Sequence, residues 1–144
     1  YSCKAEDEAN LLYASDCRGT HPFFPRVRST VFKTPQFPTT LPTLDELLGR
    51  PEYPEERLVE HYGSLLRPGR PNVLTIHAEL EGMKYIALFK SFLGQAKARG
   101  VRFILLRGLA QDLLKNPSSI PVCDLVPGAV DGRSGTLAVQ GTCR

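Results

Sequence analysis

Apolar side chains recur along this chain at two spacings, and each predicts a different kind of element. From Lys84 to Arg99 the residues Tyr85, Leu88, Phe89, Phe92, Leu93 and Ala96 repeat at helical spacing, with Gly100 just beyond. That pattern predicts an amphipathic helix closed by a glycine. Glu55–Leu66 predicts a second helix, with Leu58, Val59, Tyr62, Leu65 and Leu66 on one face and Pro68-Gly69 as its stop. The order Thr43-Leu-Asp-Glu46 is a capping box and opens a helix that ends at Gly49. Lys4–Leu12 and Leu109–Leu114 read as two more short helices, and the apolar runs Leu12–Asp16, Asn72–Ala78 and Val101–Leu105 read as strands.

Two stretches carry neither period. Thr20–Pro42 mixes Pro22, Pro25, Pro35, Pro38 and Pro42 with Phe23, Phe24, Phe32 and Phe37. Proline removes a backbone donor and restrains its predecessor, so a long loop is predicted, and the aromatics favour an ordered one. Residues 117–144 form a Pro/Gly-rich tail, irregular apart from a small strand or two. The resulting order is helix, strand, loop, helix, helix, strand, helix, strand, helix. Strands alternating with helices predict an α/β fold of parallel βαβ units, with residues 1–144 as a single partial domain. Three strands are too few for a complete barrel; they make either a small open sheet or the closing part of a larger barrel.

Composition changes this picture little. The chain of 144 residues is long enough to bury a real core. Eighteen Lys+Arg against fifteen Asp+Glu give +3 without a dense basic run, which argues against nucleic acid and tolerates an anionic membrane surface. No stretch approaches the roughly 20 apolar residues of a membrane span. The chain opens on Tyr1 and its methionine is Met83, so a processed chain, an excised piece or a gene fragment is expected. Cys3, Cys17, Cys123 and Cys143 show no CxxC spacing. Their even number permits a disulfide framework, but thiols reduced in a cytoplasmic setting are expected.

In parallel α/β proteins ligands gather at the carboxyl ends of strands. Asp16-Cys17-Arg18-Gly19 and His77-Ala78-Glu79 occupy two such ends; the third offers only Arg107. A histidine can pass a proton near neutrality, and a carboxylate beside it favours the imidazolium that a general acid needs. On pattern alone His77 is either that acid or a structural ring bonded to a carbonyl. Asp16 and Arg18 either pair within their turn or bind an anionic substrate. Cys17 has no base in view and reads as a buried thiol. Glu79 and Glu81 read as solvated acids, and the aromatics of Phe23–Phe37 either line a cleft or pack over the core. The histidines are His21, His61 and His77, with no HxxxH or HExxH pair, so no metal site is expected in this chain. GxGxxG, Walker and GxSxG motifs are absent as well.

Three segments together carry a resemblance: YASDCRG at Tyr13–Gly19, LPTLDELLGR at Leu41–Arg50 and NVLTIHAELEG at Asn72–Gly82. With the tail DGRSGTLAVQG at Asp131–Gly141, they resemble the C-terminal half of the formamido-arabinose deformylases. These are a branch of the polysaccharide deacetylase (NodB homology) superfamily. The resemblance implies the C-terminal part of a distorted (β/α) barrel and a metal-dependent amidohydrolase. In it His77 is the late histidine that protonates the departing amine, and Asp16, Arg18 and Glu79 are candidate substrate contacts. It implies a divalent metal, of a kind not specified, bound by the parent protein. The base, the metal-binding aspartate and the HxxxH pair of the family lie in the other half, so this portion alone is expected to be inactive and to bind metal poorly. The implied substrate is an undecaprenyl-phosphate-linked formamido sugar on the route to aminoarabinose for lipid A. The implied location is the bacterial cytoplasm, peripheral to the inner membrane. Alternatives are a non-catalytic sugar-lipid binding module, a gene fragment without a role, and a deacetylase of another N-acylated saccharide.

Overall fold

Among residues 2–144, which this computed structural model describes, five α-helices and four strands form in chain order. They are α1 (Cys3–Glu8), β1 (Phe24–Val27), β2 (Thr30–Val31), α2 (Leu44–Leu47), α3 (Leu58–Leu65), α4 (Ile86–Ala98), α5 (Leu106–Leu113), β3 (Val122–Gly128) and β4 (Leu137–Cys143). They fall into two units. One holds the chain up to Thr40 with Ile104–Val130 and Ser134–Arg144; the other holds Leu41–Phe103 with Asp131–Arg133.

The first unit is built on a mixed sheet of order β2-β1-β3-β4. Strands β1 and β3 run parallel, Phe24 beside Val122, and the two flanking pairs are antiparallel. Arg26 and Asp124 sit opposite each other in that parallel pair and form an ion pair at 2.7 Å. Phe23, Leu125, Cys3, Cys17 and Cys123 make the core beneath, with Val27, Phe32 and Ala138 packed around them. A polar thread runs through it: Cys17 Sγ donates to Gln36 Oε1 at 3.5 Å, and Gln36 Nε2 donates to Glu6 at 3.1 Å.

The second unit is helical. Leu44 and Leu47 of α2, Leu58 and Tyr62 of α3, and Phe92 and Ala96 of α4 share one core with Tyr85. The Tyr62 and Phe92 rings meet with centroids 5.3 Å apart. These are the residues that the helical period selects, since a three-or-four spacing turns them to one side of each helix. Gly49 and Gly100 end their helices at φ of 73° and 80°, a left-handed geometry that costs a glycine little.

The sheet is where the structure departs from the sequence pattern. An α/β fold was expected and is found, but the sheet is mixed where parallel strands were predicted. Its strands also come from segments expected to be irregular: β1 and β2 lie in the proline-rich loop, β3 and β4 in the tail. Pro25 lies within β1 opposite Cys123, beyond the Arg26–Val27 stretch that pairs with β2, so the N–H it lacks falls where β1 has an edge. The predicted strand at Leu12–Asp16 survives only as an isolated bridge from Ala14 to Gln36, with a further bridge from Arg18 to Thr39. The facing segment contains Pro35 and Pro38, which have no N–H to give to a continuous ladder.

Asn72–Ala78 and Val101–Leu105 form no strand at all. A strand exists only by pairing, and among the described residues no strand pairs with these two segments. Part of their apolar surface stays exposed, at Ile76, Phe103, Ile104 and Leu105, the last at 80%, while Leu74 and Val101 pack against the helical core.

Cys123 and Cys143, expected as reduced thiols, are joined by a disulfide across β3 and β4. Antiparallel pairing sets them opposite each other, a proximity invisible in a tail read as irregular. Cys3 and Cys17 are free and buried. Burial pushes the Cys17 thiol up to about 12 and the Cys3 thiol up to about 11, so neither supplies a thiolate near neutrality.

Candidate functional site

His77 is held between two local structures of the helical unit. The first is the start of α2. Glu46 reaches back to accept the Thr43 N–H at 3.0 Å, and its other carboxylate oxygen lies 3.4 Å from the Arg133 guanidinium. This fixes the first turn of α2 and with it Asp45, whose Oδ1 lies 3.6 Å from His77 Nδ1. The second is the loop after His77. The His77 carbonyl accepts the N–H groups of Leu80 and Glu81, each at 3.0 Å, and the Glu81 carboxylate accepts the His77 N–H at 2.8 Å. A π-helical turn, Leu80–Lys84, follows directly; such turns recur at functional sites.

Glu81 is therefore no solvated acid. It is 2% exposed, because folding back onto the His77 N–H takes its side chain inside. Its Oε1 and His77 Nδ1 are both buried with no hydrogen-bond partner. Each such atom costs about 1–3 kcal/mol, which makes this loop a candidate site. The 3.6 Å between His77 and Asp45 is too long for a hydrogen bond yet close enough for an ion pair once the ring is protonated. Contacts of this kind tighten when substrate binds. Replacing Glu81 by Ala leaves the His77 N–H without its acceptor, so a loss of about 1–3 kcal/mol of stability is expected. Glu81→Gln keeps that acceptor oxygen and should lose less. Denaturant midpoints of the two variants, at unchanged slope, check this.

The remaining candidates are placed as follows. Glu79 is exposed in the turn that follows His77. Asp16 and Arg18 lie in the other unit. Asp16 is exposed and accepts a hydrogen bond from Ser2 Oγ at 2.6 Å. The backbone of Arg18 donates to the Ala138 carbonyl at 2.9 Å and accepts from the Gln140 N–H at 2.7 Å, which leaves its side chain half-buried beside β4. Phe23 and Phe37 are core residues rather than a cleft wall. A depression lined by Tyr53, Arg57, Glu60 and His61 does not include His77 or Asp45. Asp45 is the functional candidate that sequence reasoning missed. It lies in LPTLDELLGR, a segment read as a helix start and as part of the family resemblance, with no role given to its acids.

The structure thus defines a mixed α/β protein with a histidine–carboxylate pair suited to proton transfer. The sequence places it more narrowly. Over 136 residues, 91% of this chain and 45% of the relative, it is 35% identical to the "Probable 4-deoxy-4-formamido-L-arabinose-phosphoundecaprenol deformylase ArnD" of Wigglesworthia glossinidia brevipalpis. The protein of the same description from Shewanella sediminis is also 35% identical, over 130 residues that make up 90% of this chain and 40% of that protein. No protein-family model matches the chain. The chain is similar to part of these two proteins, as the three segments had indicated, and spans less than half of their length. Among the described residues no helix is long and apolar enough to cross a membrane.

Proposed function

We propose that the protein to which this chain corresponds is an amidohydrolase that removes the N-formyl group from undecaprenyl-phosphate 4-deoxy-4-formamido-L-arabinose, a step toward aminoarabinose-modified lipid A. Its place of work is the cytoplasmic face of the inner membrane. The observation that carries the reading is the arrangement at His77: a ring facing Asp45 through Nδ1, on a backbone clamped by Glu81. Support comes also from the two proteins that the chain resembles, each described as a probable deformylase of this substrate.

The chemistry follows from the leaving group. An amide nitrogen departs poorly until it is protonated, so hydrolysis needs an acid at that atom. With Nδ1 turned toward Asp45, the other ring nitrogen, Nε2, is the one available to give a proton to the sugar amine. Asp45 acts as a positioning residue: its charge attracts the protonated ring and fixes which nitrogen faces substrate. Glu81 holds the backbone, so the ring approaches substrate from a fixed direction.

The family implies a divalent metal, and the residues around His77 do not fit one. Among the described residues, the side chains gathered closely enough to ligate an ion are His21, Cys123 and Cys143; His77, Asp45 and Glu81 do not form such a set. In this reading the activation of water belongs to the rest of the protein. The segments Asn72–Ala78 and Val101–Leu105 are then strands of a deacetylase-type barrel to which that remainder contributes, and Asp16, Arg18 and Glu79 stay candidate substrate contacts, each within its own unit.

The full-length protein, given the formamido and the acetamido forms of the lipid-linked sugar, should release formate from the first and little acetate from the second. Preference for the acetamido sugar would make it a deacetylase of another substrate. No release from either would leave a binding module.

A further inference from the structure

In the unit that carries the sheet, His21 stands beside the disulfide. Its Nε2 lies 3.7 Å from Cys143 Sγ and 3.9 Å from Cys123 Sγ. Gln140 shares this place: its Nε2 is 3.2 Å from His21 Nε2 and 3.5 Å from Cys123 Sγ. The register of β3 and β4 shifts between Cys123 and Leu125, and this irregularity lets Gln140 and Cys143, three residues apart, turn to the same spot.

Gln140 Oε1 accepts the Thr20 N–H at 2.7 Å, so the amide's orientation is set and its Nε2 can only donate. The His21 carbonyl, His21 Nε2 and Cys123 Sγ lie around that Nε2 at 3.2, 3.2 and 3.5 Å. The other ring nitrogen, Nδ1, lies 2.8 Å from Thr20 Oγ1. With Nδ1 held by an oxygen, Nε2 is the ring atom left on the sulfur side, and metal-binding histidines are commonly oriented in this way.

We propose that His21, Cys123 and Cys143 form a zinc site in the reduced protein, and that the disulfide is the oxidised, metal-free form of the same site. A dithiol reductant gives two electrons and two protons to the Cys123–Cys143 bond and itself becomes a disulfide. Zinc then replaces both thiol protons, forming two Zn–S bonds and one Zn–N bond to His21 Nε2, with water as fourth ligand. Tetrahedral zinc needs nitrogen-to-sulfur distances of about 3.5 Å and a sulfur separation of about 3.8 Å. The first condition is nearly met at 3.7 and 3.9 Å, so the change is a parting of the two sulfurs. Cys143 is exposed, which opens that side to reductant and ion, while Cys123 is fully buried. The Gln140 N–H group is placed to bond the thiolates once they form. This centre is separate from the metal that the deformylase reading assigns to the rest of the protein, and does not depend on that reading.

Cobalt titration of the 144-residue chain, reduced with a phosphine under anaerobic conditions, tests the proposal. One equivalent should produce thiolate-to-cobalt absorption in the near ultraviolet, absent from the oxidised chain and abolished by added zinc. Cys143→Ser, at the exposed end of β4, should weaken binding by more than the roughly 10–100-fold that loss of an outer partner costs, and His21→Ala should weaken it at least tenfold. Far-ultraviolet circular dichroism confirms that both variants fold. No thiolate band in the reduced chain, or undiminished binding in either folded variant, overturns the proposal. A band surviving Cys143→Ser would come from other thiols, and also overturns it.

Discussion

Replacing His77 by Ala in the full-length protein should lower kcat by about 10²- to 10⁴-fold, the usual contribution of a general acid, and leave bound metal unchanged. The reason lies in where the ring stands. Asp45 Oδ1 lies 3.6 Å from its Nδ1, and among the described residues the possible metal-ligand cluster does not include it. In the proposed reaction the ring therefore has the part of proton donor rather than ligand. KM should change little, because the departing nitrogen needs its proton in the transition state rather than in the bound substrate. Metal analysis alongside turnover separates the roles. If metal is lost together with activity, His77 is a ligand, and the assignment of Asp45 as its positioning partner fails with it.

How much of this was legible in the sequence depended on the kind of signal. The helices were, because their pattern is local. Leu58, Tyr62, Phe92 and Ala96 follow helical spacing and all enter one core. The capping box at Thr43 and the glycine stops at Gly49 and Gly100 also stand where the residues placed them. The strands were not, because a strand is decided by its neighbour. Val73–Ile76 has the composition of a buried strand and joins none of the strands of the sheet. Val122–Gly128 carries a proline and a glycine, and is a strand because Phe24–Val27 and Leu137–Cys143 flank it. The disulfide was hidden for the same reason, since its two cysteines meet only through that pairing.

The site was half legible. His77 stood out as an ionisable ring ending an apolar run, but of the two carboxylates written next to it, both expected in solvent, one is not there. Glu81, expected in solvent, is buried and clamps the backbone; Glu79 is the exposed one. The acid that faces the ring, Asp45, comes from a helix start 32 positions earlier, and only the fold brings the two together.

The second large effect concerns the chain by itself. In the proposed reaction the residues of this chain deliver a proton, while the water that attacks the formyl carbon is activated elsewhere. A proton donor without a nucleophile leaves the barrier almost where it stands in solution, since the electrostatic stabilisation and the activated water that dominate such reactions are missing. The 144-residue chain should then show no turnover even with divalent metal in excess.

The most direct measurement is formate release from undecaprenyl-phosphate formamido-arabinose, run side by side on the full-length protein and on the 144-residue chain with added divalent metal. The account predicts formate from the full-length protein and none above the uncatalysed rate from the chain alone. Metal-stimulated formate release by the chain alone, abolished by His77→Ala, would contradict it, because the chain would then hold a complete hydrolytic centre.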